Sequence, residues 1–248
     1  DRDWSSDVCS SDLLILGIIF FIFGLMNPAI AKLTPWLMET MKDSLAESGM
    51  VVGEVTVNAM TSWTQFYKNG LMCVIVIVLM LSGVLVNEYM KGTLVQVVTK
   101  GLSRRKIFFS KMITVYGLWT LMFLIYFGVT FGYTVYLWPE DKPENLVFGA
   151  ACYWTFGMML LAFLLMFSTM ANNAGQVLMG VGGVVAVLFF LNYVPKLQKY
   201  LPLRLTEGLS LSMGGLAAKD FVPAVIISCI CVVVCGIIGV VTFDKRNL

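Results

Sequence analysis

Six long runs of apolar residues limit what this chain can fold into more than any other feature. A helix needs about 20 consecutive apolar residues to cross the hydrocarbon core of a bilayer, and each run is close to that length. With 58% of its residues hydrophobic and only 13% charged, the chain has too few polar side chains to cover the surface of a soluble domain. The sequence therefore predicts an all-α integral membrane protein with spans at about 13–31, 71–86, 113–136, 146–170, 174–194 and 221–243.

The six runs leave no stretch long enough for a second folded domain, so we predict one transmembrane domain over residues 13–248. The first twelve residues, Asp1–Asp12, differ in composition from the rest of the chain. They hold four Asp and one Arg directly before an apolar run. We interpret residues 1–12 as a non-native leader and leave them out of the fold prediction.

Positive charge is concentrated between the second and third runs. The stretch Asn87–Met112 holds six basic residues: Lys91, Lys100, Arg104, Arg105, Lys106 and Lys111. Short cytoplasmic loops retain Lys and Arg, so this loop is predicted to lie in the cytoplasm. The inner segments then hold eight basic residues in 34 positions, whereas the outer segments hold eight in 74. Both termini are predicted to be cytoplasmic.

Three features of the outer segments lead to further predictions. Proline removes a backbone donor, so Asn27-Pro28 is expected to kink or end the first helix. The 39-residue loop Lys32–Gly70 follows, with an amphipathic surface helix near 38–51. The apolar segment Pro195–Asp220 is expected to form short interfacial or re-entrant helices. Aromatic side chains are expected at the membrane edges, as in an aromatic belt: Trp36, Trp63, Phe66, Tyr67, Trp138, Tyr193 and Tyr200.

The basic loop has the pattern of a helix that lies along the membrane surface. Its apolar residues recur at helical spacing: Met90, Leu94, Val97, Val98 and Leu102. The basic side chains fall elsewhere on the helix, and Ser103–Lys106 is expected to turn the chain into the third span. Taken alone, this pattern is typical of a juxtamembrane anchor that binds anionic lipid.

The residue pattern of this loop also resembles that of a known family. Glu88-x-x-x-Gly92-Thr93-Leu94 is followed nine residues later by Ser103-Arg104-Arg105-Lys106. This arrangement resembles the ABC-2 class of ABC transporter permeases, and with the six-span layout the resemblance covers Leu13 to Leu248. Two departures are Gly101, where the family often has proline, and the lack of a basic helix before the first span.

The resemblance implies that the loop couples the membrane domain to a separate nucleotide-binding subunit. Glu88 would pair with Lys91 or Arg104, and Gly92, in the segment Gly92-Thr93-Leu94, would permit close approach of the partner. Arg104, Arg105 and Lys106 would contact acidic groups on that partner.

The resemblance also implies the partners and the location of the chain. ATP and Mg²⁺ would bind the ATPase subunit and not this chain, which would pair with a second permease as a homodimer or heterodimer. The expected location is the prokaryotic plasma membrane, in contact with lipid and not with nucleic acid.

The sequence offers no catalytic residues. It contains no G-x-x-x-x-G-K-[ST] phosphate loop and no histidine, so we predict neither an enzyme nor a metal site. Cys229, Cys231 and Cys235 are interpreted as small apolar residues of a span. Gly128 and Gly132 form a GxxxG pattern that is predicted to pack against another helix, with dimer contact as a weaker alternative.

Three classes of function follow. The preferred one is the permease subunit of an ATP-driven ABC transporter that exports a hydrophobic or amphipathic solute. An integral-membrane enzyme is disfavoured, because no span holds Asp or Glu in its interior. A membrane scaffold or sensor that binds lipid or a partner through the basic loop, without transport, remains as the alternative.

Overall fold

A computed structural model describes residues 4–41, 57–90, 103–141 and 143–245, and within these ranges the chain is helical without strands. Six helices are long and apolar enough to cross a membrane. They are α1 (Trp4–Thr40), α2 (Ala59–Leu81), α3 (Arg104–Leu137), α4 (Leu146–Met170), α5 (Ala174–Leu191) and α6 (Val222–Lys245). Shorter helical segments are Val86–Met90, Pro195–Gln198, Pro202–Thr206, Gly208–Ser212 and Ala218–Asp220. The predicted all-α fold with six spans is confirmed.

The predicted spans coincide with the helices in the C-terminal half, whereas in the N-terminal half they are shorter than the helices, and the second one continues past the end of α2 at Leu81. Helix α4 has the predicted limits, and α5 and α6 differ from theirs by a few residues. The predicted outer segment Lys32–Gly70 is helical at both ends, because α1 continues to Thr40 and α2 begins at Ala59. Most of the amphipathic helix predicted near 38–51 lies outside the described residues.

Two compact units divide the chain, one formed by Asp1–Cys73 with Met122–Glu144 and the other by Val74–Leu121 with Asn145–Leu248. Helices α2 and α3 each contribute residues to both units. In the first unit, α2 begins with two caps: Asn58 Oδ1 accepts from the Thr61 N–H at 3.1 Å, and Asp141 Oδ2 accepts from the Ala59 N–H at 3.0 Å. These bonds satisfy donors that every helix start leaves open.

Pro28 lies inside α1 and does not end it. A proline cannot donate to the carbonyl four residues earlier, so the Gly24 carbonyl loses its partner within the helix. The Thr130 hydroxyl on α3 lies 3.1 Å from the Gly24 oxygen and 2.9 Å from the Tyr126 carbonyl of its own helix, so the Gly24 carbonyl shares the single hydroxyl proton with Tyr126. A membrane helix tolerates proline where a neighbouring helix satisfies the freed group, which explains why the predicted helix end does not occur.

A line of polar contacts joins the three helices of the first unit. Asn27 is fully buried; its amide donates to Thr130 Oγ1 at 2.9 Å, and its oxygen accepts from Asn69 at 2.8 Å. Ser62 and Thr134 lie 2.7 Å apart and connect α2 with α3 a little farther along. Asn27, Thr130, Ser62 and Thr134 thus each have a hydrogen-bond partner on another helix, which an apolar surrounding favours.

Aromatic packing fills the rest of this unit. Trp63, Phe66 and Tyr67 are buried, and the Phe66 ring stacks on Tyr126 with 4.7 Å between the ring centroids. The aromatic-belt interpretation is therefore wrong for these three residues, which serve the core of the protein. Trp36, Tyr193 and Tyr200 are exposed.

Helix α4 forms the core of the second unit, and 61% of its span is buried against 11% for α5. It packs mainly on α6, and also on α5 and the segment Pro202–Thr206. Its contact with α3 is a tryptophan pair: Trp119 Nε1 donates to the Trp154 carbonyl at 3.1 Å, and Trp154 Nε1 donates to Thr120 Oγ1 at 3.2 Å. Gly157 lies under the Trp119 ring and leaves room for it.

The segment Pro195–Asp220 is a series of short helical turns, and its interfacial or re-entrant position stays a prediction. Leu201, Leu205 and Leu211 are buried in the second unit. Gly214 has φ +74°, a left-handed conformation that glycine adopts at little cost, and it follows the turn Gly208–Ser212. The segment thus packs on the helices by its leucines.

We predict that Thr130→Val lowers the free energy of unfolding by about 1–2 kcal/mol, because both the Gly24 carbonyl and the Asn27 amide lose a partner. Thr114→Val is the matched control, since the exposed Thr114 hydroxyl bonds the Ser110 carbonyl of its own helix and no other helix among the described residues. Unfolding of both variants in denaturing detergent measures the difference. Equal stability of the two would contradict the role given to Thr130.

A second prediction concerns Gly157→Ala. A Cβ there would lie 2.8 Å from Trp119 Nε1 and still nearer to two ring carbons, so the variant should lose about 1–3 kcal/mol of stability through overpacking. Gly117→Ala is the control, because a Cβ at Gly117 meets no described residue within 4 Å. The thermal midpoint should fall for Gly157→Ala and stay level or rise for Gly117→Ala, whose helix propensity improves.

Candidate functional site

Charged residues at the ends of three helical segments in the second unit form a group of two ion pairs that share helix α3. We call this group the helix-end cluster; it consists of Glu88, Arg104, Arg105, Lys111 and Asp244. Glu88 belongs to the short helix Val86–Met90, the three basic residues belong to the first two turns of α3, and Asp244 lies in the last turn of α6.

Asp244 holds the start of α3 against the end of α6. Its Oδ2 accepts from Arg105 Nε at 2.6 Å, and its main-chain oxygen accepts from Arg104 Nη1 at 3.2 Å. One turn before Asp244, a Cβ at Gly239 would lie 2.6 Å from the Phe108 ring, so the two helices approach closely there. Phe108 also packs against Phe243, with ring centroids 6.1 Å apart.

The helix ends alone would not favour these charges. A helix start carries a partial positive charge, which disfavours Arg104 and Arg105, and a helix end carries a partial negative charge, which disfavours Asp244. Where the two helix ends lie together, the unfavourable positive and negative charges form a pair. Arg104 also donates to the main-chain oxygen of Asp244, which lies in the last turn of α6. The arrangement therefore needs both helices.

Glu88 forms an ion pair with Lys111, in which Lys111 Nζ donates to Glu88 Oε1. The Glu88 side chain is 37% exposed and the Lys111 side chain 28%, so the pair is only partly shielded from solvent. Sequence reasoning proposed Lys91 or Arg104 as the partner of Glu88 and did not consider Lys111. Lys91 lies outside the described residues.

Only part of the predicted coupling motif is described. Gly92, Thr93 and Leu94 lie outside the described residues, and so does the predicted surface helix. The structure brings Glu88, Arg104 and Arg105 into the helix-end cluster. Lys106 is exposed on the first turn of α3, which begins at Arg104, so the basic residues start the helix rather than forming the predicted turn.

The predicted packing glycines, Gly128 and Gly132, are exposed on α3. A Cβ at either position would meet nothing within 4 Å among the described residues. The helix that would pack on this GxxxG face is thus not among those described, and its packing stays a prediction.

The helix-end cluster has the chemistry of ion pairing and anion contact. Across the described ranges, no group of three or more His, Cys, Asp or Glu side chains is arranged to hold a metal ion. Cys229 is exposed while Cys235 is buried, and the described cysteines are free thiols. Arg105, with 71% of its side chain exposed, is the part of the cluster most accessible to another molecule.

Sequence reasoning missed Asp244 and Lys111 as members of the site. A signal for Asp244 was present, because an acid in the last turn of a helix is disfavoured by the helix dipole and needs a cationic partner. Nothing in the sequence indicated that this partner is Arg105, 139 positions away. The polar contact between Asn27 and Thr130 was missed for the same reason.

A family model described as "Protein of unknown function (DUF2705)" matches residues 45–248. The chain belongs to the DUF2705 family. The match includes α2 to α6 and the whole of the helix-end cluster, so the cluster lies within the family's own domain. A search of the curated proteins finds no match to this DUF2705 chain. Its function therefore has to be argued from its residues.

We predict that the Glu88–Lys111 pair contributes about 0.5–1 kcal/mol to stability, the range for partly exposed ion pairs. Glu88→Lys and Lys111→Glu should each destabilise the protein, and the double variant should recover most of the loss. Unfolding of all four proteins in denaturing detergent gives the coupling energy. Glu140→Lys, at an exposed acid without an ion pair among the described residues, controls for the change in net charge. A coupling energy of zero would show that Glu88 and Lys111 do not stabilise the protein as a pair.

Proposed function

We propose that this chain is the transmembrane permease subunit of an ATP-driven ABC transporter of the ABC-2 type, and that it exports a hydrophobic or amphipathic solute. The observation that carries the proposal is the loop motif Glu88-x-x-x-Gly92-Thr93-Leu94 with Arg104-Arg105-Lys106, placed between two membrane-spanning helices. The chain itself would perform no hydrolysis, since ATP and Mg²⁺ would bind a separate ATPase subunit.

The helix-end cluster supports this proposal by the way it joins its helices. A partner that displaces the loop between Met90 and Arg104 would act on the segment Val86–Met90 and on the start of α3. Because Lys111 bonds Glu88 and Arg105 bonds Asp244, such a displacement would be shared with the end of α6. Packed helices with paired charges transmit a movement of this kind as a unit.

The orientation is also part of the proposal. The basic loop and the C-terminal end would face the cytoplasm of a prokaryotic cell, where the ATPase subunit binds. A second permease, identical or similar, would complete the transporter, and the exposed GxxxG face of α3 is available for contact with another helix.

The alternative is a scaffold or sensor that binds lipid or a partner through the same basic residues without transport. The exposure of Arg105 and Lys106 favours a binding role but does not by itself distinguish the two functions. The presence or absence of an ATPase subunit does distinguish them.

The test of the proposal is purification of the tagged chain from its native membranes in mild detergent, followed by mass spectrometry. The permease function predicts a stoichiometric partner with a G-x-x-x-x-G-K-[ST] motif. Recovery of the chain without such a partner, under conditions that keep other membrane complexes intact, would overturn the proposal in favour of the scaffold function.

We predict that replacing Arg104, Arg105 and Lys106 with Glu uncouples ATP hydrolysis by the complex from transport without changing membrane insertion. Replacing Arg104 and Arg105 also removes their bonds to Asp244, which hold α3 to α6. The single variant Lys106→Glu leaves those bonds in place and therefore tests the partner contact alone. Reversing a charge that meets acidic groups costs several kcal/mol, so the recovered ATPase subunit should fall about tenfold or more. Lys199→Glu, also exposed, is the matched control. Unchanged recovery with Lys106→Glu would exclude Lys106 from the contact.

A further inference from the structure

An apolar groove runs along the second unit between α3 and α6, with a volume of about 460 Å³. On α3 it is lined by Arg105, Phe109, Met112 and Tyr116, which recur at helical spacing and share one face. Val233 and Ile237 belong to the facing side, on α6. Phe109, Val233 and Ile237 are exposed, so the groove opens away from the described protein.

The groove has the length of one half of a bilayer. Arg105 and Tyr116 mark its two ends on α3, and eleven residues of helix rise by about 16 Å. One leaflet is about 15 Å of hydrocarbon, half of the roughly 30 Å core. With its charged end at a membrane surface, a groove of this length would reach about the bilayer centre.

Charge is confined to one end of the groove, and it is mainly positive. Arg105 and Asp244 lie there, with Arg104 and Lys106 beside them on α3 and Lys245 beside them on α6. Counted together with Glu88 and Lys111 of the helix-end cluster, five basic residues against two acids leave this end of the groove, its mouth, with a net positive charge. Asp244 accepts from Arg105 Nε, but 71% of the Arg105 side chain remains exposed, so its outer donors face the surroundings.

We propose that this groove is a binding site for an anionic membrane phospholipid, with one acyl chain between α3 and α6 and the headgroup phosphate on Arg105. A bound lipid would bury exposed apolar side chains along its chain and match the positive mouth with its negative headgroup. The site does not depend on an ATPase partner. It would exist in a transporter and in a scaffold alike.

Gly236 provides a way to close the groove without disturbing the protein. It lines the groove on α6, and a Cβ there meets nothing within 4 Å in the part of the chain that the structure describes. Gly236→Leu thus fills the space of the acyl chain and improves helix propensity. Gly17→Leu on α1 is the matched control, because Gly17 is also in a spanning helix with open space at its Cβ and lies outside the groove.

The experiment uses the full chain in phosphatidylcholine nanodiscs that contain a phosphatidylglycerol probe with a photoreactive acyl chain. Mass spectrometry maps the labelled residues, and a phosphatidylcholine probe with the same chain serves as the neutral comparison. Ile113 on α3 and Ile230 on α6 report ordinary lipid contact, because both are exposed and neither lines the groove.

We expect the phosphatidylglycerol probe to label Phe109 and Ile237 several-fold more than Ile113 and Ile230. Gly236→Leu should remove this excess, whereas Gly17→Leu should keep it. Equal labelling of all exposed positions would show ordinary lipid contact and overturn the proposal. Cross-links between two copies of the chain at the groove, with no lipid labelling there, would overturn it as well.

A second arm tests the headgroup. Arg105→Gln should lower the preference for phosphatidylglycerol over phosphatidylcholine about fivefold, the change expected when one basic contact near an anionic surface is lost. Asp244→Asn should raise the same preference, because it removes the acid at the mouth. An unchanged preference in both variants would contradict phosphate binding at Arg105.

Discussion

The structure depends on one constraint: a backbone or side-chain polar group within the hydrocarbon of a membrane must find its partner inside the protein. Pro28 makes this constraint visible, because it leaves the Gly24 carbonyl without a donor in the middle of α1. The Thr130 hydroxyl lies next to that carbonyl and also accepts from Asn27, which in turn accepts from Asn69. The hydrogen bond that α1 lacks is thus replaced by hydrogen bonds among three helices. These bonds set how α1, α2 and α3 pack in the first unit.

The same reasoning applies at the helix-end cluster, where charges replace neutral polar groups. Arg104 and Arg105 begin a helix and Asp244 ends one, which are unfavourable positions for each charge alone. Their contact satisfies both ends and holds α3 beside α6. Arg105 also lies at the mouth of the apolar groove, so the proposed lipid and the proposed ATPase subunit would meet at the same side chain. Lipid composition and partner binding would then influence each other through Arg105.

Periodic and compositional patterns predicted much of the fold. The limits of α4 were correct because its apolar run begins and ends sharply. The first twelve residues of α2 were missed because Ser62, Gln65, Lys68 and Asn69 make that stretch too polar to read as a span. In the folded chain Ser62 bonds Thr134 and Asn69 bonds Asn27, so the polar side chains stabilise the helix instead of ending it. The resemblance of the loop to a known family predicted a coupling role for Glu88, Arg104 and Arg105, but it did not indicate that they pair with Lys111 and Asp244.

The sequence by itself determined the class of this protein and the number of its spans, because length and hydrophobicity are properties of each segment taken alone. It could not determine which polar side chains would meet. Asn27 and Thr130 are 103 positions apart, and Arg104 and Asp244 are 140 apart. Contacts of this kind have no local signature, since they arise only when helices pack and each polar group must take the nearest partner that the surrounding apolar side chains leave to it.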